Sequence, residues 1–330
     1  MNDKKIFSRI GLIMLIGTLI ITVVQVVGMA LVPYIPAVIP SGDLSTLATL
    51  LPMYIIAYPI IFLLFKKMPV QLTEEKKKMP VGHLIAACVM CYALAIIFNL
   101  IGTFVTGIIA AMKQGEVENV LATVTSNISP ATNFLLIVLC APIFEELLFR
   151  KAIISRISKY GDSVAIIFSA LIFGLFHGNL LQGGYAFILG IFFGYVFIKT
   201  GKVIYCIIMH MFVNFMGSFV GPLLMELTNY TEYEAKLAEL TTAGASQDEL
   251  TAFMTENMST ALLVGGWGWL VIILAIVGII LLLVNRKKFV FAPGEIMMEK
   301  GKRFKTVYLN VGMILYCVFW IGMIVMQLLG

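Results

Sequence analysis

A chain of 330 residues that is 60% hydrophobic and 12% charged, with a mean hydropathy of +1.00, falls outside the water-soluble globular class, in which about 25% of residues are charged. Its net charge of +5 is too small to indicate nucleic-acid binding. The apolar stretches are long and continuous, not the short alternating segments of a membrane β-barrel, so the expected fold class is all-α, a polytopic transmembrane helix bundle.

Nine spans are predicted in chain order. The first, 10–32, follows Lys4, Lys5 and Arg9. That pattern resembles a signal peptide, but the apolar run exceeds the roughly 7–15 residues of such a segment and reads as a retained helix. Spans at 44–65 and 83–111 follow; the third is long, and Gly102 and Gly107 predict a tilt or break in it. Next come 131–155, 163–178 and 185–198. The sixth is short, bounded by Gly183-Gly184 and Gly201, and as a re-entrant helix it would reduce the count to eight. The last three are 203–224, 261–284 and 307–328. This divides the chain into N-terminal helices (1–130), a central core (131–224), an acidic outer loop (225–260) and C-terminal helices (261–330). No internal repeat, low-complexity tract or separate soluble domain is present.

Cytoplasmic loops concentrate lysine and arginine. With the N-terminus inside, the inner segments take Lys4, Lys5, Arg9, Lys66, Lys67, Lys76 to Lys78, Arg150, Lys151, Arg156, Lys159, Lys199, Lys202 and the cluster from Arg286 to Lys305. Only Lys113 and Lys236 of the 23 basic residues are left outside. The expected topology is N-terminus inside and C-terminus outside, in the cell membrane, with lipids as the surrounding partner. The outer loop sets Glu226, Glu232, Glu234, Glu239, Asp248, Glu249 and Glu256 against Lys236. Within it Glu232 to Leu240 predicts a surface helix, and Ser246-Gln-Asp-Glu249 a capped helix start. The loop reads as a solvated acidic cap, or more sharply as a substrate-facing lid. Asn127, Asn229 and Asn257 begin Asn-x-Ser/Thr triplets on outer loops. The five cysteines lie in apolar runs and are expected as free thiols; Cys88-x-x-Cys91 has no second pair and reads as packing.

Of the 18 acids, only Glu145 and Glu146 fall inside a span, where an ionisable group costs at least about 2.5–3.5 kcal/mol unless it is paired or employed. Glu146 and Arg150 are four residues apart on one helix face and can pair. Glu145, rotated by about 100°, has no partner on its own helix. His177 and His210 also lie on spans, whereas His83 sits at a span mouth as an interfacial residue. His210 and Asn214, again four apart, share a face. Counting about 1.5 Å per residue from the inner loop at Asp162 puts Glu145 at about 25 Å and His177 at about 22 Å, and Glu145, His177, His210 and Asn214 can converge. A carboxylate, two imidazoles and a carboxamide suit water-mediated acyl transfer. Glu145 would take the proton, His177 would orient the water, and His210 and Asn214 would hold the oxyanion. Alternatively Glu145, His177 and His210 would ligate one zinc ion. The spacing leaves both open; no His-Glu-x-x-His, nucleophile elbow or phosphate loop is present.

Glu145-Glu146-Leu-Leu-Phe-Arg150, Phe173-Gly-Leu-Phe-His177 and His210-Met-Phe-Val-Asn214 together resemble the CPBP (CAAX protease and bacteriocin-processing, or Abi) family, whose motifs Glu-Glu-x-x-x-Arg, Phe-x-x-x-His and His-x-x-x-Asn occur in this order. The resemblance covers about 131–220. It implies an intramembrane endopeptidase with a cavity open to cytosol and bilayer. It makes Glu145 the base, His177 its partner at the water, His210 and Asn214 the oxyanion site, and Glu146, Arg150 and Phe173 support. The family is often labelled metalloprotease, and its structures favour metal-free catalysis by glutamate. The type II CAAX prenyl protease removes a C-terminal tripeptide from prenylated proteins, while bacterial relatives are linked to bacteriocin maturation, self-immunity and peptide pheromones. The expected partner is thus a membrane-associated peptide or protein. A non-catalytic binding or immunity protein is the alternative. A transporter with a Glu/His proton relay would also explain the polar spans, but no inverted repeat supports it.

Overall fold

The computed structural model describes residues 3–36, 38–72, 77–299 and 301–329; Lys76 and Lys300, assigned above to the inner loops, lie outside these. Regular structure among the described residues is entirely helical. The principal helices are α1 (Asp3–Leu31), α2 (Ser41–Lys66), α3 (Val81–Lys113), the short α4 (Val120–Ser126), α5 (Pro130–Arg156), α6 (Asp162–Phe176), α7 (Leu180–Thr200), α8 (Val203–Leu227), α9 (Tyr230–Thr242), α10 (Gln247–Glu256), α11 (Met258–Asn285) and α12 (Val311–Leu329). Eight of them are long and apolar enough to cross a bilayer; α6, with 15 residues, is shorter.

Two expectations are corrected. The short apolar helix is the fifth, not the sixth: α7 runs for 21 residues straight through Gly183-Gly184. Those glycines permit packing and do not break the helix. A Cβ on Gly183 would stand 3.0 Å from the Gly174 carbonyl oxygen, so their absence lets α6 and α7 lie backbone to backbone. Likewise α3 is one unbroken helix of 33 residues, and Gly102 accommodates Leu181 of α7 instead of interrupting it. The acidic loop folds as anticipated into α9 and α10, and Ser246 and Glu249 form a reciprocal capping box. All five cysteines are free, and His83 is exposed.

The two ends of the bundle are chemically distinct, and contacts between distant loops define each one. At the basic end the Tyr160 hydroxyl donates to Asp3 (2.9 Å), and Asp162 accepts both Lys199 Nζ and the Ala292 N–H at 2.8 Å. The Lys77 N–H bonds the Thr200 carbonyl there, at 2.9 Å. At the other end the Ser129 N–H donates to Asp43 (2.7 Å), Lys113 Nζ to the Leu328 carbonyl (3.1 Å) and Gln327 to the Glu118 carbonyl (3.1 Å). Chain segments far apart in sequence therefore sort into the two sides read from charge. The core gathers α5 to α8, with α3 against α7 and α11, and α1 against α12. Only Thr260 and Gly278 of α11 are buried, so this apolar helix shows most of its surface to the bilayer, where no water penalises it.

Candidate active site

α5 is not a uniform helix. Its turns widen to an i→i−5 register over Phe134–Cys140 and again over Leu147–Ile153, bracketing a tight segment, Ala141–Glu146. Such widened turns recur at functional sites. Pro142 is part of the reason. The Ala141 N–H bonds the Leu136 carbonyl, which sets the register; the next residue, a proline without N–H, leaves the Ile137 carbonyl over. A buried carbonyl needs a donor, and Asn214 Nδ2 of α8 supplies it at 2.9 Å. α8 widens immediately afterwards, over Phe215–Val220, ahead of Pro222. There the Ser218 hydroxyl donates to the Asn214 carbonyl (2.6 Å), and Asn133 donates to the Ser218 carbonyl (2.9 Å).

Glu146 and Arg150 are fully buried, with Nε to Oε2 at 2.9 Å. The pair is not in line for a hydrogen bond, and no acceptor among the described residues meets the terminal guanidinium nitrogens. Instead the guanidinium lies against aromatic faces, Phe173 at 4.5 Å and Phe193 at 5.4 Å from the ring centroids. The other oxygen of Glu146 receives His210 Nδ1 at 2.9 Å. His210 is therefore bonded to the Glu146–Arg150 pair as well as facing Glu145, a link that spacing along one chain cannot reveal. Its Nε2 points toward Glu145 Oε2 at 3.8 Å.

The two histidines are held differently. His177 Nδ1 sits 2.9 Å from the Phe173 carbonyl, which can only accept, so Nδ1 carries the proton and Nε2 of the neutral ring is an acceptor. His210 Nδ1 faces a carboxylate, so its Nε2 donates only when the ring is imidazolium. Phe173 links them: its ring lies 4.9 Å from that of His177 and 5.9 Å from that of His210.

Glu145, His177, His210 and Asn214 all line one cavity of about 130 Å³, together with Gln182, Tyr185 and Ser218. Those last three residues were not singled out from the sequence. Gln182 carried a signal: Asn179-Leu-Leu-Gln182 has the spacing of a helix cap. Asn179 indeed accepts the Gln182 N–H at 2.8 Å, while its own amide donates to Gln182 Oε1 (2.6 Å) and to the His177 carbonyl (3.0 Å). Among the described residues no three His, Cys, Asp or Glu side chains are grouped to hold a metal ion. Glu145, His177 and His210 share the cavity without being grouped as the ligand set considered above, and each imidazole keeps its Nε2 open while Nδ1 is held by the Phe173 carbonyl or by Glu146.

Residues 127–216 match the family model described as type II CAAX prenyl endopeptidase Rce1-like. Over this segment the chain is similar to the CAAX-protease family. No curated protein and no solved structure matches it. The CAAX-protease segment begins just before α5 and ends just past Asn214, so it contains all three motifs and leaves α1 to α4 and α9 to α12 outside. The match supports a CAAX-type intramembrane endopeptidase in general type.

Proposed function

We propose that the protein hydrolyses a peptide bond in a membrane-associated peptide or protein by a metal-free mechanism in which Glu145 activates water. The observation that carries this reading is the convergence of one carboxylate, two differently held imidazoles and a carboxamide on a cavity large enough for water within an apolar bundle. Glu145 takes one proton from water, and the resulting hydroxide adds to the carbonyl carbon. His177 Nε2 accepts a hydrogen bond from the same water and fixes its direction. The oxyanion is met by the second Asn214 N–H, the first being committed to Ile137, and by His210 Nε2 as imidazolium, opposite the Glu146 carboxylate. When the C–N bond breaks, Glu145 returns its proton to the leaving amine, so one water is consumed and the enzyme is regenerated.

Glu145→Gln keeps the side-chain shape and removes the base. Cleavage should fall by about 10²–10⁴-fold, the usual contribution of a general base, with expression and thermal stability in detergent unchanged. Cleavage at the native rate by this variant rejects the mechanism, and an unaltered cellular phenotype favours the non-catalytic binding or immunity role.

A further inference from the structure

The cavity at Glu145 has a direction, and we infer from it that substrate and water enter from the acidic, extracytoplasmic end of the bundle. On each contributing helix the lining residues lie toward that end. On α5 they are Ile137 and Ala141, between the Pro130 end and Glu145; on α8 they are Asn214 and Ser218, beyond His210. On α6 and α7 they are His177 and Gln182 to Leu189, in the halves nearer that end, and Leu121 of α4 in the acidic-end loop lines it too. The opposite direction is closed. Phe149, Arg150, Phe173, Phe193 and Cys206 form a floor in which none is more than 1% exposed.

A second cavity of about 150 Å³ shares Leu121, Tyr185, Asn214 and Ser218 with the first and continues to Asn99 of α3 and the exposed Gly217 of α8. On α3 its lining runs from Tyr92 to Asn99, about 16 to 27 Å along the helix from Val81 at the basic end, so the pair of cavities opens between α3 and α8 near the middle of α3 and reaches the acidic end at Leu121 of α4. The basic loops at the other end mark the cytoplasm. The resemblance implied a cavity open to cytosol and bilayer; here the mouth and the lysines are at opposite ends. Each hydrolysis consumes a water, so the side that supplies water is also the side on which a hydrophilic peptide segment can reach Glu145. The substrate class is therefore a peptide displayed at the outer membrane face, not a cytosolic prenylated tail. Only this substrate assignment rests on the peptidase reading; the side of access does not.

The test is cysteine accessibility in intact cells and in inverted vesicles, using a membrane-impermeant maleimide. Leu121→Cys and Gly217→Cys probe the mouth, and a Cβ at Gly217 meets nothing within 4 Å. Lys287→Cys probes the basic end, and the native chain, whose five cysteines lie within spans, sets the background. Both mouth variants should label in intact cells, and Lys287→Cys only in inverted vesicles. Labelling of all three from one side overturns the inference, as does labelling of Lys287→Cys in intact cells. Absence of mouth labelling from both sides overturns it too, because the cavity then opens nowhere. Labelling does not depend on cleavage, so this result and that of Glu145→Gln can fail separately.

Discussion

Arg150 brings a guanidinium, one carboxylate oxygen and two aromatic faces together with no water-facing surface. Removing one member of such a buried pair leaves a bare charge and costs about 3–5 kcal/mol. Arg150→Met should therefore lower the thermal midpoint in detergent sharply, whereas Glu145→Gln leaves it in place. The double change Glu146→Leu with Arg150→Met removes both charges and should recover much of the stability without recovering cleavage, because His210 Nδ1 loses its acceptor. A double variant no more stable than Arg150→Met alone rejects this account of the pair. The i, i+4 spacing made the ion pair readable from sequence. The bond from His210 to Glu146 joins residues 64 apart in the chain and was not readable.

Packing of α6 on α7 fixes where His177 stands. Gly174 faces Gly183 and Phe187, and a Cβ added there would come within 2.8 Å of the Gly183 carbonyl oxygen and 3.0 Å of Phe187 Cβ. Gly174→Val should separate the two helices at a cost of about 1–3 kcal/mol, the usual price of overpacking, and displace His177 three residues on. A variant with unchanged melting and cleavage would show that the hairpin tolerates the extra volume. At α10 the capping box holds Glu249 below its ordinary pKa because the Ser246 N–H and hydroxyl both donate to its carboxylate. A depressed carboxylate stabilises above its unfolded pKa and loses that contribution as pH falls through the folded value. Amide exchange over Gln247–Glu256 should thus accelerate only on acidification below the ordinary glutamate range, and Ser246→Ala should remove that dependence. Here the sequence was explicit, since both capping partners lie within one turn. Gly183-Gly184 was misread as a boundary because a glycine that ends a helix and one that admits a neighbour look alike until the neighbour is seen.

Among the described residues nine apolar helical segments, one of them short, place Asp3 and Leu329 at opposite ends of the bundle. A reporter enzyme that matures only outside the cytoplasm should be active when fused to the C-terminus and inactive at the N-terminus; the reverse pattern would refute the orientation. By itself the sequence determined the membrane class, the sidedness of charge, the acidic capped helices and the identity of the polar residues inside the bilayer. Those follow from composition, from the energy of burying charge and from contacts within a few residues. Tertiary structure alone decided that Pro142 frees a carbonyl for Asn214, that the two histidines face a carbonyl and a carboxylate respectively, and which end of the cavity is closed. Each of these depends on atoms from different helices meeting in the bundle, and spacing along one chain does not encode such a meeting.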